Sequence, residues 1–142
     1  MKIPTPYPGL VISYGYLWHV EQAQGRDEGV KDRPCAIVLS VRKAEGDVVV
    51  TVVPVTHRQP NPGADSVEIP AITKKRLGLD RENSWVIVSE VNRFVWPGPD
   101  LRRAPGKNQV RCDYGPLPPR LFDQIKKKLL NAAAHQRLEI VR

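Results

Sequence analysis

Four side chains carry the chemistry this sequence could perform: Arg33, Thr56, His57 and Glu90. An arginine presents a planar fork of donors that stays charged, which suits a phosphate. A threonine hydroxyl can bond a phosphate oxygen or orient that arginine. Histidine exchanges protons near neutral pH, and a carboxylate can accept one. Metal-free cleavage of a ribose phosphodiester needs this set. The 2′-hydroxyl must lose its proton as it attacks phosphorus, the pentacoordinate phosphorane needs a donor, and the leaving 5′-oxygen needs a proton. The base is open between Glu90 and His57, and Glu90 has the alternative role of fixing Arg33.

These residues require elements that bring them together. Lys31 to Ser40 and Asp47 to His57 are β-branched, apolar runs joined by Arg42-Lys43-Ala44-Glu45-Gly46, the pattern of a β-hairpin buried on at least one face. A hairpin sets the start of one strand beside the end of the other. Arg33 and the Thr56-His57 pair are therefore expected at one rim of the sheet. Ser84 to Trp96 reads as a central strand, or two joined by a bend, with Glu90 interrupting its apolar run. A carboxylate there is costly unless paired or solvated at a rim.

Arg33-Pro34 before a strand ending Leu39-Ser40, followed by Val53-Pro54-Val55-Thr56, resembles the signature of the PemK/MazF toxins of type II toxin–antitoxin systems. Gly15-Tyr16-Leu17-Trp18 resembles that family's opening strand, Ser84 to Phe94 its later strand, and a C-terminal helix falls where the family has one, so the resemblance spans residues 9 to 135. It implies a mainly β (α+β) fold, a small SH3-like barrel with a short helix and a C-terminal helix. It also implies a homodimer that cuts single-stranded RNA without a metal or other cofactor and is blocked by a cognate antitoxin. Arg33, Thr56 and Glu90 match the family's functional positions, while His57 stands where relatives usually carry a small hydroxyl residue. Two positions depart. Val88 stands where some relatives have a catalytic arginine, and Arg26 stands near the place of a loop histidine. The cations expected along the RNA are Lys31, Arg26, Arg58, Arg93, Arg102 and Arg103.

The 142 residues suit one domain, and 22 Lys plus Arg against 15 Asp plus Glu give a formal charge of +7 that favours a polyanionic partner. Met1 to Pro8, with three prolines, reads as an extended lead-in rather than a signal peptide. Residues 9–136 form the domain and 137–142 a tail that is either a last short strand or disordered. Leu10 to Val20 reads as the first strand by its period-two pattern, and Glu21 to Asp32 as a polar loop. Val67-Glu68-Ile69 is a short strand, and Pro70 opens a short helix through Leu77 that Gly78 stops. Lys74-Lys75-Arg76 is a solvated helix face or an RNA contact. Arg102, Arg103, Lys107 and Arg111 form the densest basic stretch. Leu121, Phe122, Ile125, Leu129, Ala132 and Ala133 mark the stripe of the final helix. Cys35 and Cys112 read as reduced thiols of a cytoplasmic protein. The sequence has no Cys/His cluster with metal-ligand spacing and no apolar run long enough to span a bilayer.

Two other readings compete. One is a basic barrel that binds nucleic acid without cutting it. The other is a toxin of the CcdB branch with a protein target. The absence of an aromatic from the tail Leu138 to Arg142, and the presence of Arg33 and Thr56, argue against the latter.

Overall fold

A computed structural model describes residues 1–27, 29, 31–106 and 109–142. The described residues form an eight-stranded, mainly antiparallel sheet with three helices. The strands are β1 (Leu10–Tyr14), β2 (Arg33–Arg42), β3 (Val48–Thr56), β4 (Ser66–Glu68), β5 (Trp85–Ile87), β6 (Glu90–Val95), β7 (Asp113–Pro116) and β8 (Glu139–Ile140), and the helices are α1 (His19–Ala23), α2 (Ala71–Leu77) and α3 (Pro119–Ala134). The expected mainly β, α+β architecture, with a short and a C-terminal helix, is present.

The hairpin β2–β3 is the spine. Its register pairs Cys35 with Pro54 and Ala36 with Val53, and β1 flanks β2 while β7 flanks β1. The far side of β3 is shared. Val55 and Thr56 pair with β5, and Val49 to Val52 pair with β6. The segment Ser84 to Trp96 is thus two strands, each held against β3. The inner part of the spine is buried on both faces, because alternate residues feed two cores. Val11, Ala36, Val53 and Val55 meet Ile125 and Leu121 of α3 on one side, while Ile12, Cys35, Ile37 and Val52 meet Tyr14, Tyr16 and Leu101 on the other. A bulge at Val38 resets the alternation, so that Leu39 lies opposite Thr51 and turns to solvent.

Several expectations need correction. The first strand does not reach Val20; it ends at Tyr14. Residues 15–17 stay buried, but other partners satisfy their backbone. Gly15 N–H donates to the Asp100 carbonyl, and the Asn92 amide both accepts from Leu17 N–H (2.8 Å) and donates to the Leu17 carbonyl (2.9 Å). A period-two pattern records burial on a face, not the identity of the hydrogen-bond partner. The polar stretch from Glu21 opens within α1, whose start is fixed by the Glu21 carboxylate accepting Trp18 N–H at 3.0 Å.

The helix after Pro70 forms as expected, and Gly78 closes it with φ 74°, the left-handed turn that glycine adopts without strain. Its basic run is not one solvated face, however, because Lys74 is 4% exposed and points inward with Thr73 and Leu77. The tail is a strand in the sheet: β8 runs parallel to β6 and Val141 is buried. Arg142 then reaches back, its guanidinium donating to the Gly15 carbonyl (2.6 Å) and to Asn92 Oδ1 (3.0 Å). In α3, Leu121, Ile125 and Ala132 are buried, whereas Ala133 is exposed. Both cysteines are free and buried. Among the described residues no helix is long and apolar enough to cross a membrane.

Candidate functional site

The open end of the β2–β3 hairpin is the floor of a cleft of about 1090 Å³. Arg33 enters β2 there, Thr56 ends β3, and His57 and Arg58 continue over the rim. Trp18 and Lys31 also line it. Leu79 and Asp80, following α2, line it too, as do Arg103 and Pro105. The antiparallel register alone accounts for the meeting of Arg33 with Thr56, as the hairpin pattern required.

Arg33 is held by its stem and by weak polar contacts. Its Nη1 donates to the Val55 carbonyl at 3.3 Å, and its guanidinium carbon lies 4.9 Å from the centre of the Trp18 ring. Among the described residues no carboxylate pairs with it, and its buried Nε has no hydrogen-bond partner. Burial pulls its pKa down, against the opposing influence of Cys35, Glu21 and Tyr16. A half-buried guanidinium with donors to spare, opening on a cleft, is the chemistry of an anion site. Beside it, Thr56 Oγ1 accepts Arg58 N–H at 3.1 Å, which fixes the rim turn and leaves the hydroxyl proton free to donate.

His57 is gripped by two carboxylates that the sequence did not single out. Its Nε2 lies 2.7 Å from Asp80 Oδ2 and its Nδ1 3.1 Å from Glu82 Oε2. Asp80 is held in turn by Lys74, whose ammonium donates to Asp80 Oδ1 at 2.8 Å, to Ser84 Oγ at 2.6 Å and to the Glu82 carbonyl. Burial raises the Asp80 carboxyl pKa, but the Lys74 bond, the charges of His57 and Lys74 and the Glu82 N–H outweigh it, so it falls below the usual range. The ligand atoms of His57, Asp80 and Glu82 come within 4.8 Å of one another, close enough to consider a metal ion. The donor set does not fit one, because the Lys74 ammonium already occupies Asp80 Oδ1 and supplies the positive charge that a cation would bring. The cluster is an ion-pair network. Nothing in the sequence marked Lys74 as internal: it is buried while Ile72, two residues earlier, is 71% exposed, the reverse of their hydropathy.

Glu90 stands apart. It begins β6 outside the cleft lining, and its Oε1 accepts Tyr16 O–H (3.2 Å) and His19 N–H (3.0 Å). It does not pair with Arg33. The Tyr16 and Trp18 rings, in edge contact at 5.2 Å, lie between the two groups' contacts. Burial raises the Glu90 pKa, although the His19 and Tyr16 bonds oppose the shift.

The six candidate RNA cations divide. Lys31, Arg58 and Arg103 line the cleft with Arg33, and none makes a side-chain ion pair among the described residues. Arg102 is engaged elsewhere, with Asp32 (3.3 Å) and Asp100 (3.8 Å). Arg26 is exposed just past α1 and outside the lining. Arg93 lies opposite Thr51, five residues before Thr56 along β3, or ~17 Å away at strand rise. The basic stretch after Leu101 is therefore not one surface. Arg111 pairs with Asp113 at 2.8 Å, and Lys107 lies outside the described residues.

Neither a scan against protein-family models nor a search of curated proteins returned a match to this chain. The functional reading accordingly rests on the cleft and on the motifs that build it.

Proposed function

We propose that this protein is a toxin endoribonuclease of the PemK/MazF kind: a small SH3-like barrel, acting as a homodimer in the cytoplasm, that cleaves single-stranded RNA without a metal ion and is silenced by a cognate antitoxin. The observation that carries the proposal is the arginine of the Arg33-Pro34 motif, which lies beside Thr56 in a cleft and, among the described residues, has no carboxylate paired to it. Three further cations line the same cleft, a match to a strand of phosphates.

In this reading Arg33 receives the non-bridging oxygens of the scissile phosphate and stabilises the charge that grows on them in the phosphorane. The Thr56 hydroxyl donates to one of those oxygens. Arg58, Lys31 and Arg103 hold flanking phosphates, which positions the chain without reading its sequence. Trp18, with one face under Arg33, offers its rim to a base. His57 is the proton-transfer group of the cleft, while Glu90 supports the Tyr16–His19 corner from outside. An antitoxin that blocks the enzyme would bring carboxylates to the same cations.

The test is cleavage of a long single-stranded RNA in EDTA by the wild-type protein and by Arg33→Ala, with the fragment ends mapped. Discrete cuts ending in 2′,3′-cyclic phosphate, lost in a folded Arg33→Ala variant, are expected. A folded Arg33→Ala variant with full activity would sink the assignment. One observation favours the second reading, a module that binds RNA without cutting it: both ring nitrogens of His57 are already taken by carboxylates. Tight, salt-sensitive binding with intact RNA would establish that alternative.

A further inference from the structure

The chain Lys74–Asp80–His57–Glu82 is asymmetric. At its inner end Lys74 is buried and bonded to three groups at once. Asp80, half-exposed on the cleft wall, is thereby fixed by its Oδ1 and turns Oδ2 to His57 Nε2. At the outer end Glu82 is 71% exposed and lies outside the cleft lining. One carboxylate is thus locked from behind, and the other sits on an exposed surface side chain.

The tautomer follows from this asymmetry. A neutral imidazole has one N–H, and the nitrogen facing the fixed carboxylate keeps it. Nε2–H then donates to Asp80, and Nδ1 carries the lone pair. A neutral Nδ1 offers nothing to Glu82, because two acceptors repel, so the exposed carboxylate swings away and Nδ1 is open. A proton on Nδ1 would be accepted by Glu82, whose Oε2 lies 3.1 Å away.

We infer that Asp80, locked by the buried Lys74, is the positioning residue that fixes the His57 tautomer and leaves Nδ1 as the proton-exchanging atom, with Glu82 a displaceable partner of the protonated ring. The inference rests on the nuclease reading for its consequence and on the free protein for its geometry. In the transesterification the 2′-O–H bond breaks and its proton passes to Nδ1. The 2′-oxygen bonds to phosphorus, the bond from phosphorus to the 5′-oxygen breaks, and the leaving oxygen takes the proton back from Nδ1. No oxidant or co-reactant is needed. The charged groups facing His57 are Asp80 and Glu82 beyond α2 and its neighbour Arg58, with Lys74 behind Asp80 and Arg33, Lys31 and Arg103 across the cleft.

The experiment has two arms. The first is ¹⁵N NMR of the His57 ring in the full chain without RNA, at a pH where the ring is neutral, for wild type, Asp80→Asn, Glu82→Gln and the double variant Lys74→Met with Asp80→Asn. The double variant removes both charges together, so that no buried ammonium is left uncompensated. The wild type and Glu82→Gln should show separate nitrogen signals, with the proton on Nε2. Both Asp80 variants should lose the fixed Nε2–H pattern, with the proton shifting toward Nδ1, where Glu82 remains to accept it. A wild-type ring that is already averaged or protonated at Nδ1, or an unchanged ring in the Asp80 variants, overturns the inference whether or not the protein cuts RNA.

The second arm is cleavage. Asp80→Asn should lower kcat at least ~10-fold with KM within about twofold, while Glu82→Gln keeps kcat within about twofold. Equal losses in the two variants, or none in Asp80→Asn, overturn it as well. A fixed Nε2–H tautomer in a protein that never cleaves RNA would instead remove the nuclease reading and leave the Asp80–His57 geometry standing.

Discussion

At the scale of single residues the cleft separates groups that the sequence set side by side. In the proposed reading Arg33 serves because of what it lacks: a carboxylate partner would neutralise it, and among the described residues it has none. Arg33→Lys should therefore lose most of the activity that Arg33→Ala loses, about 10²-fold or more, because an ammonium cannot present the planar fork to two phosphate oxygens. Cleavage rates of folded variants check this. Glu90 gives the opposite expectation. Its bonds go to Tyr16 and His19 and it lies off the cleft, so Glu90→Gln, which can still accept both hydrogens, should keep cleavage within about threefold, whereas loss of a general base would cost ~10²–10⁴-fold. Burial holds the folded-state pKa of Glu90 above its ordinary value, so its charge is a penalty that falls away as pH drops. The Gln variant should then be at least as heat-stable as wild type at pH 7, with the gain shrinking toward acid.

Among the elements, α3 is the lid on one core, and Ile125 is the fully buried residue it contributes to that cluster. Ile125→Ala should cost about 2–5 kcal/mol in urea unfolding, the range for an emptied aliphatic site. The ends of α3 and β4 are tied by Arg137 and Asp65 through two bonds of 2.8 and 2.9 Å. The Arg137 bond, against some burial, holds the Asp65 carboxyl below its ordinary 3.8. A depressed carboxylate stabilises the fold above its unfolded pKa and loses that contribution as pH falls through the folded one. The stability gap between wild type and Asp65→Asn should be full above about pH 5 and close below 3.8, which denaturation at several pH values reads directly.

For the whole molecule the formal charge of +7 says less than its distribution. Among the described residues, the lysines and arginines that line the cleft are Lys31, Arg33, Arg58 and Arg103. For three to four phosphates neutralised on a single strand, log K should fall against log salt with a slope of about −2 to −3. Replacing Arg103 by Gln should flatten the slope by ~0.7, while the same change at Arg93 or Arg26 should leave it unaltered. Fluorescence titration of an RNA oligomer over a salt series measures both.

The local sequence carried the hairpin, and with it the meeting of Arg33 and Thr56, because strand pairing across a short turn is a local event whose register places the ends together. It also carried α3, whose stripe repeats at helical spacing, and the Gly78 stop of α2. Tertiary structure decided the rest. Residues 15–17 look like strand but bond to Asn92 and Asp100, distant partners that no periodicity reveals. Glu90 kept its rim but faced the Tyr16–His19 corner instead of Arg33, because the face a strand presents to its neighbours depends on which strands flank it. Lys74 became internal, and Asp80 and Glu82 came to grip His57, because the turn that follows α2 lies beside the end of β3. A buried ammonium is tolerated only where distant groups converge to satisfy it, and that convergence exists only once the chain has folded.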